Sequence, residues 1–338
     1  MADNRQAIAR GLAFLEERQL PDGAFPVVCT TDPTMVHGCV EDPSLFPTAL
    51  VAHALSFCQA AAAMRVRAED FLLAQMSSHG LWKHWTREHP QHALLPPDLD
   101  DTCCASRVLA RGGRSLPPNR PILLANRSRI GLFYTWIIPR LRWTGLAHAR
   151  VTLPQLLRAP GLWAFFRATS ASPGDIDAAV NANALFYLGP VPGREAIVRH
   201  LLDVLRDGRE AQCDKWYENP FAIWYFFSRA LADIAPEAGP LIRQRIEAAT
   251  ASNALEAALA ISSLNYWRFE APRPLLVFLL DSQLPSGAWP RGALYHGGRK
   301  RRRDGSFADP HPDTPRWGSE ELTTALALEA LCHIPETR

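Results

Sequence analysis

Two kinds of helical segment alternate along the chain, and this alternation limits the fold more than any other feature. Segments with one apolar stripe run over Asn4 to Arg18, Arg65 to Met76, Pro121 to Asn126, Arg194 to Arg206, Pro240 to Thr250 and Pro274 to Gln283. Between them lie Ser44 to Gln59, Asp98 to about Ala110, Asp175 to Leu188, Phe221 to Ala232, Asn253 to Leu264 and Glu320 to Leu331, apolar nearly all round. A helix apolar on every side has to be buried, whereas an amphipathic one lies at a surface. Repetition on this scale signals a repeat architecture. The predicted fold class is therefore all-α, an (α/α)6 toroid of six inner and six outer helices. Residues 1–338 read as one domain, with 127–174 as an irregular insertion and candidate lid. No stretch shows a strand period, so no sheet is expected.

A turn pattern recurs after outer helices: Gln19, Gly23 and Phe25; Gln75, Gly80 and Trp82; Gln283, Gly287 and Trp289. Glycine permits the tight turn. The aromatic can pack back over the preceding helix end, where glutamine can bond carbonyls that the helix leaves open.

The most unusual stretch is Asp98-Leu99-Asp100-Asp101-Thr102. Pro96 and Pro97 stop whatever precedes it. An apolar pattern follows at Cys103, Ala105, Val108 and Leu109, so three carboxylates crowd a first helical turn. Asp98 as N-cap and Asp101 answering the helix dipole account for part of this. A third acid adds repulsion, which raises at least one carboxyl pKa and keeps a proton available near neutral pH.

This stretch resembles the Asp-x-Asp-Asp motif of class II terpene cyclases, the group that includes squalene–hopene cyclase and copalyl-diphosphate-type synthases. The glutamine–aromatic turns resemble the Gln–Trp repeats of triterpene cyclases. The resemblance implies that Asp100 protonates an alkene, tuned by Asp98 and Asp101, and starts a carbocation cascade on a linear isoprenoid such as farnesyl or geranylgeranyl diphosphate. Asp100 is then expected to be protonated, bonded to a flanking carboxylate and aimed into an apolar cavity. No cofactor is required; Mg2+ enters only beside a diphosphate, with Glu41-Asp42 as its candidate pair. Class II cyclases generally use two barrels, and this chain contains one. The Asp-Asp-x-x-Asp ionisation motif is missing, because Cys104 stands at its last position.

Other substrate-binding candidates come from the helix starts. Asp177 and Asn181 share a face at i,i+4, and Asn183 lies off it. Tyr217, Trp224 and Tyr225 offer π faces, which stabilise cations without acting as nucleophiles. Gly297 to Gly305, with Arg299, Lys300, Arg301, Arg302 and Arg303, is a basic loop able to meet anionic lipid or a diphosphate. Within the insertion, Gly131 to Ile138 with Arg140, Arg142 and Trp143 mixes aromatic and basic residues, which suits a membrane interface or a lid equally.

Net charge of +2 gives no pull toward nucleic acid. Seven cysteines without framework spacing, and a start lacking a signal pattern, point to a cytoplasmic protein, with peripheral membrane contact and a homodimer left open. Three further functions fit the same residues. They are a non-catalytic terpenoid-binding barrel, a zinc prenyltransferase-like enzyme built on Asp101 and Cys103, and an inverting glycosidase. The last would pair Asp98 or Asp100 with Asp177 at roughly 6.5–9.5 Å.

Overall fold

The computed structural model describes residues 4–141, 144–302 and 306–333. Arg142, Trp143, Arg303, Asp304 and Gly305 of the basic segments lie outside the described residues. In chain order the first helices are α1 (Asn4–Arg18), α2 (Leu45–Leu55), α3 (Ala62–Gln75), α4 (Leu99–Arg111), α5 (Arg120–Ala125), α6 (Leu146–Thr152) and α7 (Ala159–Ala168). They are followed by α8 (Ala178–Leu188), α9 (Arg194–Arg206), α10 (Pro220–Leu231), α11 (Ala238–Ala248), α12 (Ala254–Tyr266), α13 (Arg273–Asp281) and α14 (Glu320–Cys332).

Six inner helices form a closed ring, all apolar nearly all round except α4, which turns Arg107 and Arg111 to its less buried side. Around it, α2, α4, α8, α10, α12 and α14 each pack on the next, and α14 returns to α2. Every residue of α2 and α10 except Pro220 is buried. The amphipathic helices lie outside: α1 on α14, α3 on α2, α9 on α8, α11 across α10 and α12, and α13 on α12. This is the expected all-α toroid of inner and outer helices. The segment 127–174 is more regular than its sequence implied, because it carries α6 and α7.

The expectation of no sheet is corrected. A small antiparallel sheet, in the order β2-β1-β4-β3, joins β1 (Val28–Thr30) and β2 (Val40–Glu41) to β3 (Tyr295–His296) and β4 (Arg316–Gly318). Strands of two or three residues are too short to show an alternating pattern. Their position explains them: β1 and β2 precede α2, β3 and β4 precede α14, and the sheet ties these neighbours in the ring together.

The recurrent turns act as staples between layers. The Gln19 amide donates to Gly23 O in its own turn and to Met64 O of α3, both at 2.9 Å. Gln283 repeats the arrangement with Gly287 O and Ala7 O of α1, also at 2.9 Å. Trp82 and Trp289 donate back to Leu72 O and Leu279 O of the preceding helices at 2.8 and 2.7 Å. The backbone N–H groups of Phe25, Trp82 and Trp289 then bond Thr48, Thr102 and Thr324 of inner helices at 3.0, 3.1 and 2.9 Å. The threonine after the three acids is thus part of this framework.

Gly287 has φ +91°, and a Cβ there would stand 2.5 Å from Arg10 O. Gly113, at φ +74°, faces open space. Gly113→Ala carries the left-handed strain alone, about 1–2 kcal/mol. Gly287→Ala adds a backbone collision and should lower Tm by several degrees more. Equal losses in thermal melts would contradict the staple.

Candidate active site

The first turn of α4 is held on two sides before any side chain is considered. Asp98 N donates to Trp82 O at 3.3 Å, and Leu99 N donates to Thr135 O at 2.8 Å. Asp98 caps the helix as expected, its carboxylate accepting from Asp101 N at 2.8 Å. Asp98 and Asp101 are 4% and 3% exposed. Asp100 is the least buried of the three, and all three border a cavity of about 140 Å3.

Asp100 is not bonded to a flanking carboxylate, which corrects the expectation. Its oxygens accept from Tyr217 OH and from Asn183 Nδ2, both at 2.6 Å. The carboxylate pair is Asp98 with Asp101. Burial pushes Asp100 up to about 6, opposed by its bonds from Tyr217 and Asn183. Burial, then the neighbouring Asp98 charge, holds Asp101 well above the usual carboxylate range. Burial also raises Asp98. His84 Nδ1 lies 3.8 Å from Asp101, yet burial lowers its pKa to about 4, so at neutral pH it brings no positive charge.

The wall of the cavity is aromatic. Phe46, Trp85, Trp136, Phe165, Trp216, Tyr217, Tyr295 and Trp317 line it, and among the described residues no lysine or arginine does. Each of the four tryptophans hands its one polar atom to a carboxylate. Trp85 and Trp317 both donate to Asp42 Oδ2, at 3.1 and 2.5 Å. Trp136 donates to Asp175 at 3.3 Å and Trp216 to Asp177 at 3.2 Å. The Trp136 and Trp216 rings meet edge to face at 5.8 Å. With every indole N–H occupied, these residues turn carbon surfaces toward the cavity.

Those bonds settle what several predicted residues do. Asp177 accepts from Thr135 Oγ1 at 2.6 Å, Lys215 N at 3.1 Å and Trp216, so its oxygens serve the frame and do not line the cavity. Asn181 clamps the Phe133 backbone, accepting from its N at 2.8 Å and donating to its O at 3.1 Å. Asp42 receives His89 Nε2 at 3.0 Å besides its two indoles, which leaves the Glu41-Asp42 pair little freedom for an ion. Among the described residues no group of three or more His, Cys, Asp or Glu side chains is arranged to hold a metal. In the basic loop, Arg299 turns inward to Asp214 O and Ala211 O at 2.6 and 2.9 Å.

Tyr217 lines the cavity and donates to Asp100. Trp224 and Tyr225 do not, and this corrects their assignment to the cavity wall. Trp224 donates to Glu210 at 3.2 Å, away from the acids. Tyr225 faces the far half of the barrel and donates to Glu329 at 2.8 Å. Helix α10 is buried all round, so its sequence carries no phase that marks the cavity side.

A further residue missed by the sequence reading is Arg229, buried at 6% exposure inside the ring. Its Nη2 donates to Asn183 Oδ1 at 2.5 Å, so Asn183 is gripped from behind while it donates to Asp100. Glu329 answers the charge, accepting from Tyr225 and from Tyr266 at 2.8 and 2.9 Å. Tyr266 also meets His53 at 2.9 Å, and burial lowers His53 well below its usual value. A guanidinium in an otherwise apolar helix was the available signal.

No family model matches the sequence, and no curated protein matches it. Solved structures do. A protein from Actinoplanes is 19% identical with a TM-score of 0.63, over 98% of this chain and 99% of that one. Type II terpene cyclase MstE from Scytonema is 16% identical with a TM-score of 0.65, over 97% of each chain. Variants of MstE are known with geranylgeranyl dihydroxybenzoate, its substrate, and with merosterolic acid A, its product. The ent-copalyl diphosphate synthase from Streptomyces platensis is 18% identical with a TM-score of 0.50, over 86% of this chain and 50% of that one. Along nearly its whole length, the chain has the all-α toroid fold of the class II terpene cyclases.

Proposed function

We propose that this protein is a class II terpene cyclase that starts cyclisation by protonating a linear isoprenoid. One observation carries the reading: Asp100, the acid with most access, borders a cavity whose four tryptophans have all surrendered their N–H groups to carboxylates. The Asp100 proton passes to a terminal alkene carbon. The alkene π electrons form the new C–H bond, and the adjacent carbon becomes a cation. Asp100 is left as a carboxylate, stabilised by the donors on Tyr217 and Asn183. The indole faces stabilise the positive charge, and their dry surface keeps water from trapping it. Loss of a proton from the final cation completes the reaction.

This step needs no metal, and Mg2+ enters only as the companion of a diphosphate. Because no described lysine or arginine lines the cavity, that space suits the apolar end of the substrate and leaves the head group outside. Farnesyl diphosphate, geranylgeranyl diphosphate and geranylgeranyl dihydroxybenzoate are therefore the substrates to test, with and without phosphatase, by mass spectrometry. The glycosidase reading loses its second carboxylate to the Asp177 frame. The zinc reading lacks a ligand set, because among the described residues no three His, Cys, Asp or Glu side chains are arranged to hold a metal.

Asp100→Asn should abolish every product while leaving the circular dichroism spectrum unchanged. Asp98→Asn and Asp101→Asn should reduce turnover without changing the product. Product formation at the parent rate by the Asp100→Asn variant would remove Asp100 as the acid. Trp216→Leu should admit water beside the cation and yield hydroxylated products. An unaltered product pattern would mean that this indole does not face the cation.

Only protonated Asp100 can act, so activity should be full well below pH 6, about half at 6, and lost as pH rises further. Arg229→Gln removes a positive charge and should move that fall upward by about one unit or less. Glu329→Gln leaves Arg229 uncompensated and should move it downward. Shifts in the same direction for both variants would contradict an electrostatic link between this pair and Asp100.

A further inference from the structure

We infer that the segment 127–174 docks this protein on an anionic lipid bilayer. From Thr102 to Gly174 the sequence holds no Asp or Glu, and the segment contains seven arginines. The chain as a whole is only +2, so the remaining residues are net negative and the positive charge is concentrated here. Arg129, Arg150 and Arg167 are exposed. Arg127 and Arg140 turn inward instead, over the rings of Phe133 and Tyr134.

The same segment carries apolar surface that stands exposed among the described residues. Leu146, Leu153, Leu156, Leu157 and Trp163 are each more than half exposed. They lie on α6, the turn after it and α7, and that turn packs on both helices. Among the described residues, seven of the fourteen exposed large hydrophobic side chains fall within this segment, so the exposure is a local feature. Arginine beside leucine and tryptophan on a helical surface is the composition of an interfacial anchor. Nucleic acid would match the charge and leave the leucines in water. A second copy would cover the leucines and bring two positive faces together. An anionic bilayer satisfies both features. No helix among the described residues is long and apolar enough to cross a membrane, so contact is with its surface.

Docking here would place lipid beside the route to the acids. A groove of about 570 Å3 runs between α6, α7 and the 77–97 loop, walled by Leu94, Leu157 and Leu162. Leu95 borders this groove and also the acid cavity. One turn along α7 from Leu162, Phe165 packs on Trp136 in the cavity wall at 5.1 Å. An isoprenoid dissolved in the bilayer would therefore meet apolar side chains from the surface to Asp100; this consequence alone rests on the proposed activity.

The test is sedimentation of the full chain with phosphatidylcholine vesicles that contain or lack phosphatidylglycerol, at low and high salt. Binding should require phosphatidylglycerol and weaken as salt screens it. The double variant Leu153→Glu, Trp163→Glu should lose roughly fivefold or more of the bound fraction. Val36→Glu, at an exposed position remote in sequence, should bind as the parent does. Circular dichroism checks that each variant folds. Absence of binding, equal binding to both vesicles, or no effect of the double variant would overturn the inference. So would a parent dimer that the double variant converts to monomer, or displacement of vesicles by single-stranded RNA. No substrate is present, so failure to turn over any isoprenoid leaves this result standing, and failure to bind vesicles leaves the cyclase reading standing.

Discussion

Keeping a carboxylic acid in an apolar cavity is the constraint around which the rest of the structure is arranged. Burial is the largest influence on each of the three acids, and it raises all of them. Left alone, desolvation would raise the Asp100 pKa further and make it a weaker acid. Tyr217 and Asn183 oppose it by donating to the carboxylate form. Asn183 can do so because Arg229 fixes its amide from the other side. Acid strength at one atom thus depends on four inner helices, α4, α8, α10 and α14, and on the loop that carries Tyr217.

The carboxylates around the rim solve a second problem. A tryptophan is a large π surface with one donor, and a free donor in the cavity would attract water. Asp42, Asp175 and Asp177 take those donors, so acids that looked like ligands or substrate contacts serve to keep the cavity apolar. Lys215 in turn bonds Asp175 within the frame. Polar residues in the second layer make a non-polar first layer.

Much of the fold was legible because burial and amphipathicity leave different marks on a helix, and that contrast recurs around most of the ring, inner helix α4 with its Arg107 and Arg111 being the exception. The boundaries of α1 and α9 agree to the residue. The sheet was not legible, because its strands are too short to alternate and its pairing sets Val28 opposite Gly318, from the two ends of the chain. Within the site, the three acids and Tyr217 could be read because each is locally unusual. Asn181 was chosen over Asn183 by the i,i+4 rule, which links residues of one helix and says nothing of what faces them across the ring. Trp224 and Tyr225 were misplaced for a related reason: a helix apolar on all sides has no readable inward face. The tryptophan–carboxylate pairs are contacts between distant segments and leave no local trace.

The central claim is that catalysis begins when a proton leaves the protein for a carbon atom of the substrate. Turnover of geranylgeranyl diphosphate or geranylgeranyl dihydroxybenzoate in deuterium oxide tests it most directly, with each product examined by mass spectrometry and NMR. The account predicts one non-exchangeable deuterium per product molecule, on the terminal unit that is protonated first, and any diphosphate retained until phosphatase is added. A cyclic product without deuterium, formed with release of diphosphate, would contradict it.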